Sequence, residues 1–303
     1  MSELVLPSEE VGDALASGRA VVALETSVIG QGLPPPRNIE CAQRMTAAIS
    51  ASGATPAWTA VVEGEVRVGL TDRQLGAFAD PGRSSKVARR DIAFAVANGH
   101  LGATTVSATI WAASAVGVRI CVTGGIGGVH TRRGDVSADL LELSRTSVLL
   151  VCSGPKSIVD PIATAERLEE LGIATVGYRT DLLPFFVVAA TDVELAQRVD
   201  DAAAAARLVR TQESLRSTAA ILLCNPVPAA FALDAAEVAN AIRACEDDAE
   251  RDGIRGKAVT PFLLSCLAAR TDGSSLEANI ALLESNARLA GEVAVAAATA
   301  LTT

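Results

Sequence analysis

Lys156 stands in the run VCSGPKSIVD, just past an apolar segment and a Ser-Gly-Pro turn. The chain has 26 basic residues, and only Lys86, Lys156 and Lys257 are lysines, so arginine does the routine surface work. A guanidinium cannot become a neutral nucleophile, whereas an amine can once burial or nearby cations depress its pKa. Lys156 therefore suits Schiff-base chemistry or point-charge phosphate binding, with a solvated loop lysine as the plain alternative. Glu25 closes a second apolar segment, in ALETSVIGQGLPPPRN. A carboxylate at a strand end is a general-acid candidate, because burial raises its pKa toward neutrality; a surface acid capping a loop is the other reading. Lys86 lies in GRSSKVARRDI, among hydroxyls and three arginines, which suggests either an anion site or a solvated loop. TTVSATIWAA opens a helix with small hydroxyl residues, a start suited to phosphate. ICVTGGIGGVHTRRGDVSADLLEL delivers Thr123, Gly124, Gly125, Gly127, Gly128, His130, Asp135, Ser137 and Asp139. Asn279, among apolar neighbours late in the chain, is a local cap or a core amide in need of partners.

These residues need elements that bring them to one place. Ile120–Thr123 and Ser147–Ser153 read as buried parallel strands, whose C-terminal ends face the edge where open α/β sheets bind ligands. Ala20–Leu24, Ala174–Tyr178 and Ala220–Cys224 read as further strands. Helices are expected over 8–18 with Ser8 as N-cap, 38–53, 71–79, 162–171, 192–212, 235–252, 261–270 and 275–301. Residues 59–70 alternate about Glu63-Gly64 as a β-hairpin, expected to project and to contact a partner subunit. Gly30–Asn38, with three consecutive prolines, should form a stiff cleft wall. No repeat or linker divides residues 1–303, so one α/β domain is expected.

Composition narrows the function classes. Half of the residues are apolar and 3% aromatic, and net charge is −9. With no basic stripe, nucleic acid is not an expected partner. GxGxxG and Walker-A spacings are absent. No apolar run of membrane-spanning length occurs, and MSELVLPSEEV lacks a basic and then apolar leader, so a cytosolic protein without membrane contact is expected. Six cysteines without CxxC spacing read as reduced, structural thiols.

Nine segments in order, ALETSVIGQGLPPPRN, KVARRDI, TTVSATIWAA, TGGIGGVH, SADLLEL, VCSGPKSIVD, CNPVP, GKAVTPFLL and SLEANIALLESNA, resemble the pseudouridine-5′-phosphate glycosidases, a family with relatives in indigoidine clusters. The resemblance covers roughly residues 20–290. It implies a three-layer α/β/α fold with a central, mostly parallel sheet, a cytoplasmic homotrimer, and Mn²⁺ or another divalent cation in each subunit. The implied activity is reversible cleavage of pseudouridine 5′-phosphate to uracil and ribose 5-phosphate. By the same resemblance Lys156 forms an imine with ribose C1′ and Glu25 is the proton donor. Lys86, Val106, Ser137, Ala138 and Asp139 match substrate-binding positions, Thr123, His130 and Asn279 other pocket positions, and Asp135 the metal-binding aspartate. The chemistry accounts for the lysine. Ordinary glycosidases protonate a leaving heteroatom between two carboxylates, but a C–C bond offers no lone pair, and an imine supplies the electrophile instead. Hard divalent ions also accept one carboxylate in a largely aqueous shell.

The chain departs from the family pattern at Gln31 and Pro35, where His and Tyr are common, in a shorter segment between His130 and Asp135, and at Val187-Val188-Ala189-Ala190-Thr191, where Arg and Ser usually follow TDLLPFF. Two other readings stay open on the residues. One is a class I aldolase for a sugar phosphate; the other is a non-catalytic phosphosugar-binding module, which borohydride trapping of an imine would tell apart from an enzyme.

Overall fold

Strand side chains in this chain are apolar on both faces, and that dictates a sheet covered on both sides. The computed structural model describes residues 4–130, 132 and 134–299. Among these, eleven strands form one sheet: β1 (Val5–Pro7), β2 (Val21–Glu25), β3 (Thr55–Val62), β4 (Glu65–Val68), β5 (Ser85–Val87), β6 (Gly102–Thr104), β7 (Ile120–Val122), β8 (Leu149–Cys152), β9 (Ala174–Tyr178), β10 (Gln197–Val199) and β11 (Ile221–Cys224). Eleven α-helices accompany them: α1 (Glu9–Ala16), α2 (Arg37–Ala51), α3 (Asp72–Gly76), α4 (Ile92–Ala97), α5 (Val106–Val116), α6 (Ala138–Leu143), α7 (Pro161–Glu170), α8 (Ala202–Leu215), α9 (Ala235–Arg251), α10 (Val259–Arg270) and α11 (Ser274–Thr299). The order is β1-β4-β3-β2-β7-β8-β11-β9-β10, with β6 on β3 and β5 on β6. Every pairing is parallel except β3 with β4 and β3 with β6.

Alternate residues of each central strand supply two separate cores. Val22, Leu24, Ile120, Val122, Leu149, Val151 and Leu223 belong to the core that also holds the apolar faces of α2, α8, α9, α10 and α11. Val21, Ala23, Cys121, Leu150, Cys152 and Leu222 face α1, α4, α5, α6 and α7. This is the three-layer, mostly parallel arrangement expected. Helix α11 is buried along most of its length because it crosses the middle of the first face.

Several expectations are corrected. The hairpin of β3 and β4 does not project: β4 pairs on its other edge with β1, Val5 opposite Val66, so both strands lie inside the sheet. The helix expected over 192–212 is a short strand, β10, then α8 from Ala202, because Asp201 caps that helix through Ala204 N. Not all cysteines are reduced thiols: Cys245 of α9 and Cys266 of α10 are disulfide-bonded, their Cα atoms 5.8 Å apart where the two helices pack. Cys41, Cys121, Cys152 and Cys224 are free and buried, as small hydrophobes should be. No helix of the described residues is long and apolar enough to cross a membrane.

Candidate active site

Strand β2 continues to β3 on one side, while its other neighbour β7 continues to β8 on the opposite side. Open α/β sheets bind ligands where the strand order reverses in this way, outside the carboxyl ends of the strands. Glu25 is the last residue of β2, and Thr123 follows β7 directly. Across the reversal the Thr123 hydroxyl donates to Glu25 Oε1, and Ser27 Oγ donates to Oε2 at 2.7 Å. Glu25 is 4% exposed and lines a cavity of ≈ 270 Å³. Two hydroxyls, each able to donate or accept, can hold its carboxyl group in either protonation state.

Lys156 comes to the same cavity from β8. The turn that carries it depends on Gly154, which has φ +72° and passes so close to Pro184 O that no side chain fits. Backbone bonds from Ile126 N to Gly154 O (3.1 Å) and Lys156 N to Ile126 O (2.9 Å) tie this turn to the glycine loop after β7. The side chain is half-buried, and Nζ donates to Gly125 O at 2.5 Å. Gly127 also has no room for a side chain, because Ser137 lies against it. Its N–H donates to Asp139 Oδ2 and Ser107 N to Oδ1, both at 3.0 Å. Asp139 thus joins the glycine loop to the first turn of α5, while Ser137 caps α6 through Asp139 N.

Basic groups gather at one side of the cavity. Lys86 on β5, Arg90 and Lys257 line it with Thr105, the residue before α5. Burial first, and then the Lys156 ammonium, push the Lys86 pKa below the ordinary lysine value, against the opposing pull of Asp139 and Glu25. Lys257 bonds Lys86 O at 3.2 Å and pairs with Asp91 at 2.9 Å. Val106, the first residue of α5, has its side chain buried in the core, and Thr105 before it lines the cavity.

Asp135, His130, Ser137, Ala138 and Asn279 also line the cavity. His130 N donates to Asp135 O at 2.9 Å, and Asp135 is exposed. Among the described residues no three His, Cys, Asp or Glu side chains gather as a metal cluster. The donor set at Asp135 fits a hard divalent ion only as one carboxylate completed by water.

Two site residues escape sequence reasoning. One is Asn286 of α11, fully enclosed, where Asn279 of the same helix is buried but reaches the cavity. Its Nδ2 donates to Thr123 O (3.0 Å) and to Ser153 Oγ (3.1 Å), and its Oδ1 accepts from Asn225 Nδ2 (2.9 Å). One side chain thus fastens the ends of β7, β8 and β11. Asn286→Leu should lower the unfolding free energy by about 3 kcal/mol, since it strands several buried polar groups; urea unfolding of the variant checks this. The other is Gln31. Its Nε2 donates to Ser84 Oγ (3.1 Å) and Ser84 O (3.3 Å). A carbonyl only accepts, which fixes the amide's orientation. Gln31 Oε1 is then left buried without a hydrogen-bond partner among the described residues, a defect that typically costs about 1–3 kcal/mol.

Residues 10–296 match the model of the family described as indigoidine synthase A like protein. A pseudouridine-5′-phosphate glycosidase of Herpetosiphon aurantiacus is 48% identical over 301 residues, 98% of each chain. One from Caldanaerobacter subterraneus is 41% identical over 300 residues, 97% of each chain. Among solved structures, the prealnumycin C-glycosynthase AlnA in complex with ribulose 5-phosphate has a TM-score of 0.90 at 39% identity, over 100% of this chain and 99% of that one. An indigoidine synthase A-like protein of Thermotoga maritima gives 0.87 at 37% identity, over 92% and 93%. With a relative this similar over nearly its whole length and a family model matched from residue 10 to residue 296, the chain belongs to the indigoidine synthase A-like family.

Proposed function

We propose that this protein is a pseudouridine-5′-phosphate glycosidase, which cleaves the C–C glycosidic bond to give uracil and ribose 5-phosphate and also runs in reverse. The observation that carries this reading is one cavity at the sheet's reversal point that holds a buried carboxyl, a lysine amine and, to one side, a basic cluster. Relatives 41–48% identical over nearly the whole chain bear that name. The substrate phosphate lies toward Lys86, Arg90 and Lys257, where positive charge favours an anion. Lys156, as the neutral amine, then attacks C1′ and displaces O4′, which takes up the proton the amine loses and so opens the ribose. A proton from Glu25 adds to the ring carbon of uracil that carried the sugar. The amine lone pair expels uracil and leaves an imine at C1′, and water hydrolyses that imine to ribose 5-phosphate and free Lys156. Thr123 and Ser27 keep the Glu25 carboxyl in place while its proton leaves and returns.

Asp135 would hold Mn²⁺ or a similar ion in each subunit, with water as the remaining ligands. When bound, such an ion adds positive charge to the site. A cytoplasmic homotrimer is the assembly that belongs to this reading. Bond formation is the same path reversed, in keeping with a solved relative described as a C-glycosynthase. The test is uracil release from pseudouridine 5′-phosphate with added Mn²⁺. Equal amounts of uracil and ribose 5-phosphate are expected; no release by a folded, metal-supplied protein would refute the assignment and turn attention to sugar-phosphate aldol substrates.

A further inference from the structure

The Cys245–Cys266 disulfide takes no part in the reaction, yet it closes a loop whose tip enters the site. Cys245 lies in the last two turns of α9, Cys266 two turns into α10, and 21 residues separate them. Between the helices runs a strap, residues 252–258, that brings Lys257 to the cavity beside Lys86 and Arg90. Arg255, Gly256, Lys257 and Ala258 are all exposed, and the strap turns at Gly253 and Gly256 with φ of +66° and +58°. Its hold on the site is the Lys257–Asp91 ion pair at 2.9 Å and the bond from Lys257 to Lys86 O. Contacts this exposed contribute little by themselves, and a segment with so few buried groups opens readily. Helix α9 is held by its buried face, Val238, Ile242, Cys245 and Ala249, and the disulfide ties α10 to it. Arg270 and Asp248 also join the two helices at 2.6 Å, through an ion pair on an exposed arginine.

Resting on the phosphate position of the glycosidase reading, we propose that Cys245–Cys266 is a thiol–disulfide exchange site whose reactant is a dithiol, and that its redox state sets how firmly Lys257 is presented to the substrate. Cys245 has no exposure whereas Cys266 is half-buried, so a thiolate approaches from the Cys266 side. It bonds to Cys266 Sγ, the S–S bond breaks, and Cys245 leaves as a thiolate that takes up a proton. The second thiol of the reactant then attacks the mixed disulfide and frees Cys266. The protein gains two electrons and two protons, and the dithiol leaves as its own disulfide. Oxidation by a disulfide is the same exchange in reverse. Cys41, Cys121, Cys152 and Cys224 are buried and take no part. A cross-link acts by shrinking the open ensemble. With it, the strap swings out only as a loop whose ends stay joined; without it, the first turns of α10 open together with the strap.

The experiment compares air-oxidised protein with protein reduced by dithiothreitol, the redox state being read by thiol alkylation and intact mass. Amide hydrogen exchange and uracil release from pseudouridine 5′-phosphate, with Mn²⁺ supplied, are measured on both. The double variant Cys245→Ala/Cys266→Ala is treated in the same way and controls for the reductant itself. Reduction is expected to speed amide exchange over residues 252–262 by about tenfold or more. KM should rise by roughly five- to tenfold with kcat within about twofold, because a phosphate contact is remote from the reacting carbon. The double variant should match reduced wild type with or without dithiothreitol. In Lys257→Ala, KM should already be raised and no longer respond to reduction. A disulfide that dithiothreitol leaves intact in the folded protein would overturn the exchange site. Equal KM in the two redox states, or an equal response by the double variant, would overturn its coupling to Lys257. No uracil release in either state would reject the glycosidase reading instead, and the amide exchange would still decide whether the disulfide governs the strap.

Discussion

Lys156→Arg is expected to yield a folded protein that releases uracil at least ~10⁴-fold more slowly than wild type, and that leaves no reduced adduct when ribose 5-phosphate and borohydride are added. Arginine is the informative replacement. It keeps the positive charge, and a guanidinium can still donate to Gly125 O, the group that Lys156 Nζ bonds at 2.5 Å. The backbone of the turn, held by Ile126 N to Gly154 O and Lys156 N to Ile126 O, does not depend on the side chain. If the lysine served as a point charge beside a phosphate, arginine would preserve much of the activity. If it forms a covalent bond to C1′, arginine removes the reaction while leaving the electrostatics in place. The measurement is paired: uracil release, and intact mass after reduction. Release above about 1% of the wild-type rate would assign Lys156 to charge rather than to covalent chemistry.

The parts of the site visible in the sequence are those fixed by strand ends. An apolar run with β-branched residues marks β2, β7 and β8, and a parallel sheet brings their carboxyl ends to one edge. Glu25, Thr123 and Lys156 therefore announce themselves by position alone. Lys86 was legible as part of a basic segment, although it sits on a sheet strand paired through Ala103 and not in a loop. Its lowered pKa arises from burial and from Lys156, which lies 70 residues further along the chain. The rest depends on packing that no local pattern encodes. Asn286 lies two turns beyond Asn279 on the same face of α11, and its place along the helix decides that one fastens three strands while the other lines the cavity. β10 has three residues and forms only because β9 offers an edge. The disulfide follows from how α9 and α10 meet, since a separation of 21 residues with no CxxC spacing gives no local sign of it. Gln31 looked like a departure from a family pattern; its isolated oxygen becomes visible only with Ser84 placed beside it.

Glu25→Gln should separate the two halves of the reaction. The carboxyl group is held by two hydroxyls, Thr123 on one oxygen and Ser27 on the other at 2.7 Å. An amide of the same shape can accept from one of these and donate to the other, because a hydroxyl serves either way. The variant should therefore fold, keep its cavity and capture ribose 5-phosphate at Lys156. It cannot deliver a proton to the departing ring carbon, and uracil release should fall by about 10³-fold, within the usual range for a lost general acid. The comparison to make is single-turnover uracil release against borohydride-trapped adduct from ribose 5-phosphate, in the variant and in wild type. A slow release with normal trapping puts Glu25 at the C–C bond. An equal loss of both would place it in imine formation instead, because that step is shared by both measurements. Release at the wild-type rate would leave the proton to another donor and reduce Glu25 to a residue that fixes Thr123 across the reversal of the sheet. Under the proton-donor reading Thr123→Val is expected to cost only about tenfold in uracil release, the loss of one positioning bond on Glu25 Oε1.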